Sequence, residues 1–227
     1  YDRMNGGVGI IIRRPKVTHQ RILEAACRLF AARGFHGVGF RDIAAAARVS
    51  LRMPNHHFGA KERLFTECVR YALRDRVDVP AIFADRPVFK SKQAALRALA
   101  AKIRACFFAM VAPAGKLSWP GAILGRAMME NRSEALKAFQ DGLVPAREWF
   151  HAAVRRVRPG VAPMEFLLWY GSLWAQMSFY STAHMAILVR LGKKRYDKEF
   201  LQTAADHLIH VMLLQLTKEG RSHEGNN

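Results

Sequence analysis

Residues 40–62 read FRDIAAAARVSLRMPNHHFGAKE. The first eight, FRDIAAAA, have the make-up of a short helix, and Arg48, Val49 and Ser50 form the break after it. Ser50 is a good N-cap residue, so the spacing predicts a second short helix that ends near Phe58. Pro54 would be its fourth residue, at the margin of the first turn, where a missing N–H does least harm.

Working outward, Thr18 is placed to cap a longer helix with Ile22, Ala25, Ala26, Leu29 and Phe30 on one face and Gly34 at its end. Downstream, residues 61–77 make a fourth helix striped with Leu64, Phe65, Val69 and Leu73. Two short helices around a tight turn, buttressed by a longer first helix, form a helix-turn-helix. The second short helix of such a unit enters the major groove while its neighbours hold phosphates. Here that helix carries Leu51, Arg52, Met53, Asn55, His56 and His57, and Lys61 begins the next one.

The composition points to the same partner. Lys and Arg number 36 against 18 Asp and Glu, a formal charge of +18, which favours nucleic acid or another anionic surface and says nothing about fold. Residues 1–80 hold 15 basic and 7 acidic residues, so the excess is densest at the front without being confined there. Cys27, Cys68 and Cys106 are far apart and outside any paired motif, which suits buried thiols in a reducing, cytoplasmic setting. The apolar run at 8–12 is too short for the core of a secretory signal.

Beyond Arg86 and Pro87 the chain becomes more hydrophobic but stays helical. Helices are expected at 92–111, 119–130, 134–157, 164–191 and 197–217, separated by Pro113, Gly115, Pro120, Pro159, Gly160, Pro163 and Gly192. Residues 166–189 hold no Asp, Glu, Lys or Arg, a length that could span a bilayer. Gly171, Ser172, Gln176, Ser178, Ser181, Thr182 and His184 make it polar for a lipid-facing helix, so a buried or interface helix of a soluble protein is expected, and no membrane partner.

From Arg21 the chain runs R-I-L-x-A-A-x-x-L-F-A-x-R-G-F, then R-D-I-A-x-A-A-x-V-S, then H-F-G-x-K-E-x-L-F as far as Phe65. Over about residues 18–73 this ordered series resembles the TetR family of bacterial transcriptional regulators. The resemblance implies an all-α protein of about nine helices, with a three-helix DNA-binding unit and a larger domain for effector binding and dimerisation. It implies that Arg41 supports the DNA backbone or reaches a base edge, and that Leu51, Arg52 and Met53 face the groove. Asn55 and His56 stand where phosphate or a thymine methyl is met, and His57 and Lys61 resemble phosphate contacts. Ile43 and Phe58 would hold the helices at their angle. Arg48 and Ser50 complete the DNA-facing set at the turn.

The chain departs from the family's pattern in four places. Arg48 stands where glycine is usual, at a strain of about 1 kcal/mol if the backbone is left-handed there. Gly39 replaces a Ser or Thr cap, Pro54 a leucine and Asn55 a frequent tyrosine. Arg52 could be a solvated charge, and Met53 could pack inward instead of meeting a thymine methyl. Adjacent histidines on a helix point about 100° apart, so His56 and His57 are not expected to share a metal. His207 and His210, three apart on the last helix, lack a third ligand and fit a surface or dimer-interface role better.

The C-terminal unit has no nucleophile elbow, glycine-rich phosphate loop or His-Glu zinc signature, so neither an enzyme nor a cofactor is expected. Its soft apolar residues and few polar ones suit a small-molecule site: Phe107, Met110, Trp119, Arg126, Met129, Trp149, Trp174, Gln176, Met177, Tyr180 and His184. Fatty-acyl and aromatic effectors both fit. The last two long helices suit a four-helix dimer bundle, as a two-fold operator requires. The expected organisation is a basic arm at 1–16, a DNA-binding domain at 17–80, an effector and dimerisation domain at 81–218 and a disordered tail at 219–227. The expected function is a dimeric repressor of a palindromic operator, released by an apolar or amphipathic effector. The alternative is a hydrophobic-ligand sensor or carrier with a degenerate head.

Overall fold

The computed structural model describes residues 15–111 and 119–217, and among these the fold is all-helical, without a strand. The predicted tail and nearly all of the predicted arm lie outside the described residues. The head comprises α1 (Pro15–Arg33), α2 (Phe40–Ala47), α3 (Arg52–Phe58) and α4 (Lys61–Tyr71), followed by a π-helical turn at Ala72–Arg76. The body comprises α5 (Val79–Ile82), α6 (Lys92–Val111), α7 (Trp119–Met129), α8 (Ser133–Gly142), α9 (Val144–Val157), α10 (Pro163–Thr182), α11 (His184–Leu191) and α12 (Lys198–Thr217).

Each head helix buries the stripe that its apolar spacing dictates. Ile22, Ala26 and Phe30 of α1 meet Ile43 of α2, Phe58 of α3 and Leu64 and Phe65 of α4 in one core. The rings of Phe30 and Phe35 lie edge-on to Phe65 at 5.2 and 5.5 Å. Gly34, with φ +73°, ends α1 in the left-handed conformation that glycine takes without strain.

In the body, α6 is the central helix, packed by α9, α10 and α12, while α7 runs between α1 and α10. Gly121 and Gly125, four apart on α7, let α10 come close. A Cβ on Gly121 would lie 2.4 Å from Ser181 Oγ, and one on Gly125 would lie 2.6 Å from Thr182 Cγ2.

Several predicted boundaries are corrected. Helix α1 begins at Pro15, so Thr18 is buried within it and caps nothing. The side chain of Ser50 does not cap α3, which starts at Arg52 behind Leu51, and only the Ser50 carbonyl accepts a bond, from the Met53 N–H. The stretch 61–77 is not one α-helix, because Val77 N–H bonds to Ala72 O at 2.8 Å, five residues back. The stretch 134–157 breaks after Gly142, since Pro145 lacks an N–H for an unbroken ladder and opens α9 instead. The stretch 164–191 breaks at Ala183. The last two breaks, together with the short α5 that the spacing did not mark, turn the expected nine helices into twelve among the described residues, beside the π turn.

No described helix is long and apolar enough to cross a membrane. The three cysteines are free and buried. Burial pushes the Cys68 thiol up and the Cys106 thiol up to about 12.

Candidate nucleic-acid interface

The turn between α2 and α3 is held from three directions. Arg48 takes the left-handed conformation, φ 52° and ψ 51°, and its N–H bonds to Ala45 O at 3.1 Å while Val49 N–H bonds to Ala44 O at 3.0 Å. An arginine in this conformation costs about 1 kcal/mol relative to glycine. From α1, a guanidinium N–H of Arg21 donates to Ala47 O at 2.6 Å, satisfying a carbonyl at the end of α2. At the start of α2, Gly39 offers no side-chain cap, and Asp42 compensates by accepting the Gly39 N–H at 2.8 Å.

Helix α3 is intact despite Pro54, the third residue of the helix, whose absent N–H falls where no intrahelical partner exists. Pro54 and Phe58 are buried, and Met53 is half-buried against the core. Leu51, Arg52, Asn55 and His56 are exposed, as are Arg41 at the start of α2 and Arg48 and Ser50 in the turn. The head thus presents one edge made from the start of α2, the turn and α3. It combines guanidinium, amide and imidazole groups with the exposed Leu51 side chain.

Two expected DNA contacts are placed differently. The Lys61 ammonium donates to Phe35 O at 3.1 Å and Val38 O at 3.0 Å and lies 4.2 Å from the Phe35 ring centroid. Only its third N–H is left for phosphate. His57 is half-buried between α3 and α1, its ring 5.8 Å from His19 and 5.5 Å from His56. Desolvation first, and the neighbouring His19 and His56 second, hold its pKa below the usual histidine value. No group of three or more metal-ligating side chains occurs among the described residues.

The head is also fastened to the body by residues that the sequence did not single out. Glu130, just beyond α7, accepts the Phe35 N–H with both carboxylate oxygens, at 3.0 and 2.9 Å. The Arg132 guanidinium lies 3.5 Å from the Phe35 ring centroid, 3.1 Å from His36 Nε2 and 3.6 Å from a Glu62 oxygen. The Phe35 ring thus meets the cations of both Lys61 and Arg132. Glu130 and Arg132 are 70 or more residues from what they hold, so no local pattern could have marked them.

The expected effector residues divide into two groups. Phe107, Met110, Trp174 and Met177 are buried in the body, and Phe107 meets Tyr180 edge-on at 5.3 Å. His184 is buried 4.7 Å from Tyr196, whose hydroxyl donates to Tyr180 O at 2.9 Å. Gln176 Nε2 instead bonds Met212 Sδ of α12 at 3.3 Å. The others are placed elsewhere. Trp149 packs on Phe83 and Phe89, Trp119 stacks on Tyr71 under Arg76, Arg126 lies 3.9 Å from Glu130 at the head junction, and Met129 is exposed. The sequence cannot separate these positions, because periodicity gives a face within one helix and not which faces of different helices meet.

Residues 22–68, which span α1 to α4, match the model of bacterial regulatory proteins of the tetR family. The head is thus similar to the N-terminal unit of that family. The HTH-type transcriptional regulatory protein RaaS of Mycobacterium tuberculosis is 54% identical over 50 residues, which are 22% of this chain and 23% of RaaS. The chain therefore spans about a quarter of that relative's length in the alignment. Beyond the TetR-type head, solved structures share the fold. AibR, in complex with isovaleryl coenzyme A and operator DNA, superposes with a TM-score of 0.63 at 17% identity over 86% of this chain and 97% of its own. A TetR-like transcriptional regulator from Rhodococcus sp. RHA1 gives 0.61 at 22% identity over 89% and 97%. FadR from Bacillus subtilis, in complex with stearoyl-CoA, gives 0.61 at 14% identity over 86% and 97%.

Proposed function

We propose that this protein is a DNA-binding transcriptional repressor that occupies a palindromic operator as a dimer and leaves it when an apolar or amphipathic effector binds the body. The observation that carries the reading is the exposed edge of Arg41, Leu51, Arg52, Asn55 and His56 on a clamped turn and helix. Arg21 and Asp42 hold that edge in shape before any ligand arrives, and such preorganisation favours specific binding. The intact α3, with Pro54 at a harmless position, weighs against a degenerate head.

The dimer is supported by α10. Met164, Leu167, Leu168 and Phe179 are all more than half exposed along it, and Gly171 between them has open space beside it. No described helix is long and apolar enough to cross a membrane, so a helix face of this kind asks for a partner surface, and a second copy supplies one by two-fold symmetry. The effector is supported by the buried aromatic and methionine cluster around Phe107, Met177 and Tyr180 and by Ser181, whose buried Oγ has no hydrogen-bond partner. A ligand with a long apolar part and a polar acceptor would suit both. The stearoyl-CoA held by FadR has that chemistry, and the isovaleryl coenzyme A held by AibR joins a short apolar group to the same thioester acceptor.

Selection of random DNA fragments on the purified protein, with and without a panel of acyl thioesters and aromatic compounds, tests the reading. Enrichment of a two-fold symmetric sequence that one compound class releases is the expected result. Arg52→Ala should relax the preference at one position in each half-site by about 1–3 kcal/mol. Equal affinity for selected and random DNA would favour the ligand sensor or carrier instead.

A further inference from the structure

The π turn at Ala72–Arg76 joins the last α-helical residue of the head to the body, and a cleft of about 340 Å³ opens against it. Its lining includes Leu73 from the π turn, Pro80 from α5, Ala138 from α8 and Pro145 from α9, so the walls are largely apolar. Arg70 and Arg74, one helical turn apart, stand on one side, and Asp141 stands at the end of α8. None of the residues expected to hold an effector lines it.

From this arrangement we infer a second ligand site, independent of the core effector site proposed above, for a small apolar carboxylate with a single negative charge. The apolar walls would cover the hydrocarbon or aromatic part, and the volume is at the small end of those that take organic ligands. The guanidiniums would take the carboxylate. Arg70 already pairs with Glu67 at 2.6 Å and Arg74 with Asp75 at 2.9 Å, but each bond occupies one of five N–H donors. Asp141 sets the limit on charge, because a second carboxylate on the ligand would face it across an apolar cleft.

The position of the cleft gives binding a consequence. Leu73 lies directly against α8, since a Cβ on Gly142 would be 2.5 Å from Leu73 Cδ1. A ligand seated there touches the segment that leads into the head on one side and α8 and α9 on the other. Single π turns are rare and recur at functional sites, where one residue's difference in register separates two helical forms. A ligand that favours one register over the other would reposition the head.

Isothermal titration of the full-length chain with phenylacetate and hexanoate tests the inference, beside 2-phenylethanol, hexanol and adipate as controls. Both monocarboxylates are expected to bind at least about tenfold more tightly than the alcohols and adipate. Arg70→Gln with Arg74→Gln should remove that advantage, and Pro80→Glu, which places a carboxylate in the cleft at an exposed position, should do the same. Trp174→Phe and Met177→Leu, in the core, should leave it intact. No monocarboxylate binding, binding equal to that of the alcohols, or binding lost only in the core variants would overturn the inference. The last outcome would leave the core effector reading standing.

Discussion

Both carboxylate oxygens of Glu130 accept the backbone N–H of Phe35, at 3.0 and 2.9 Å, across 95 residues of sequence. The bond ties the end of α7 to the segment that follows Gly34, whose left-handed backbone turns that N–H toward the body. Arg132 adds its guanidinium to the same phenylalanine ring, and the Lys61 ammonium also lies against it. The orientation of the head is therefore fixed by groups of the body as well as by its own core.

Glu130→Ala should lower thermal stability by about 1–3 kcal/mol, because it leaves a part-buried N–H without its charged acceptor. DNA affinity should fall for all sequences alike, since the edge that reads them is untouched and only its placement is loosened. Glu130→Gln, which keeps an acceptor, should lie between. Denaturant unfolding and filter binding on the same variants would decide. An unchanged midpoint with unchanged affinity would mean that the bond is incidental.

Lys61 carries the second expectation. If its ammonium serves mainly the carbonyls of Phe35 and Val38, Lys61→Met keeps the packed stem but loses stability by about 1–3 kcal/mol, with the salt dependence of DNA binding nearly unchanged. A phosphate contact behaves differently and reduces the slope of log affinity against log salt by about one. The slope, measured from about 50 to 200 mM salt, separates the two roles.

The head was legible in the sequence because its signals are dense and local. Gly34, the 48–50 turn and the apolar stripes of α1 and α4 each constrain the chain within a few residues. Arg48 is the exception that fits, a non-glycine residue found in the left-handed conformation that its position demands. The body was legible only as helices. Its breaks at Gly142 and Ala183 fall inside stretches whose apolar spacing continues across them. The direction of Lys61 and the partners of Glu130 depend on residues 23 to 95 positions away, where periodicity carries no information.

Gly121 tests the packing of the body. Alanine there would bring a methyl within 2.4 Å of Ser181 Oγ and 2.6 Å of the Met110 carbonyl, and that backbone oxygen cannot swing aside. Gly121→Ala should destabilise the protein by about 1–3 kcal/mol through overpacking, even though alanine favours helix. Gly160→Ala, in the turn before α10 where an added Cβ meets nothing within 4 Å, should be neutral or slightly stabilising as a control. Thermal unfolding of the pair would show whether the α7–α10 approach is as close as described.

His57 links the head to pH. Its pKa lies below the ordinary histidine value in the folded chain, through desolvation and the nearby His19 and His56. The unfolded chain takes up its proton first as pH falls below about 6.5, so the folded state loses stability from that point down to the folded pKa. His184, also lowered by burial, contributes in the same direction. His57→Gln should therefore flatten part of the decline in unfolding free energy between about pH 7 and 5, and the remainder should persist until His184 is also replaced. DNA binding should run oppositely, because a phosphate near the imidazole cluster stabilises the charged ring and raises its pKa. Affinity should strengthen from about pH 8 to 6 with net proton uptake, read by calorimetry in buffers of different ionisation heat, and the uptake should shrink in His57→Gln. Proton uptake identical in wild type and variant would remove His57 from the interface.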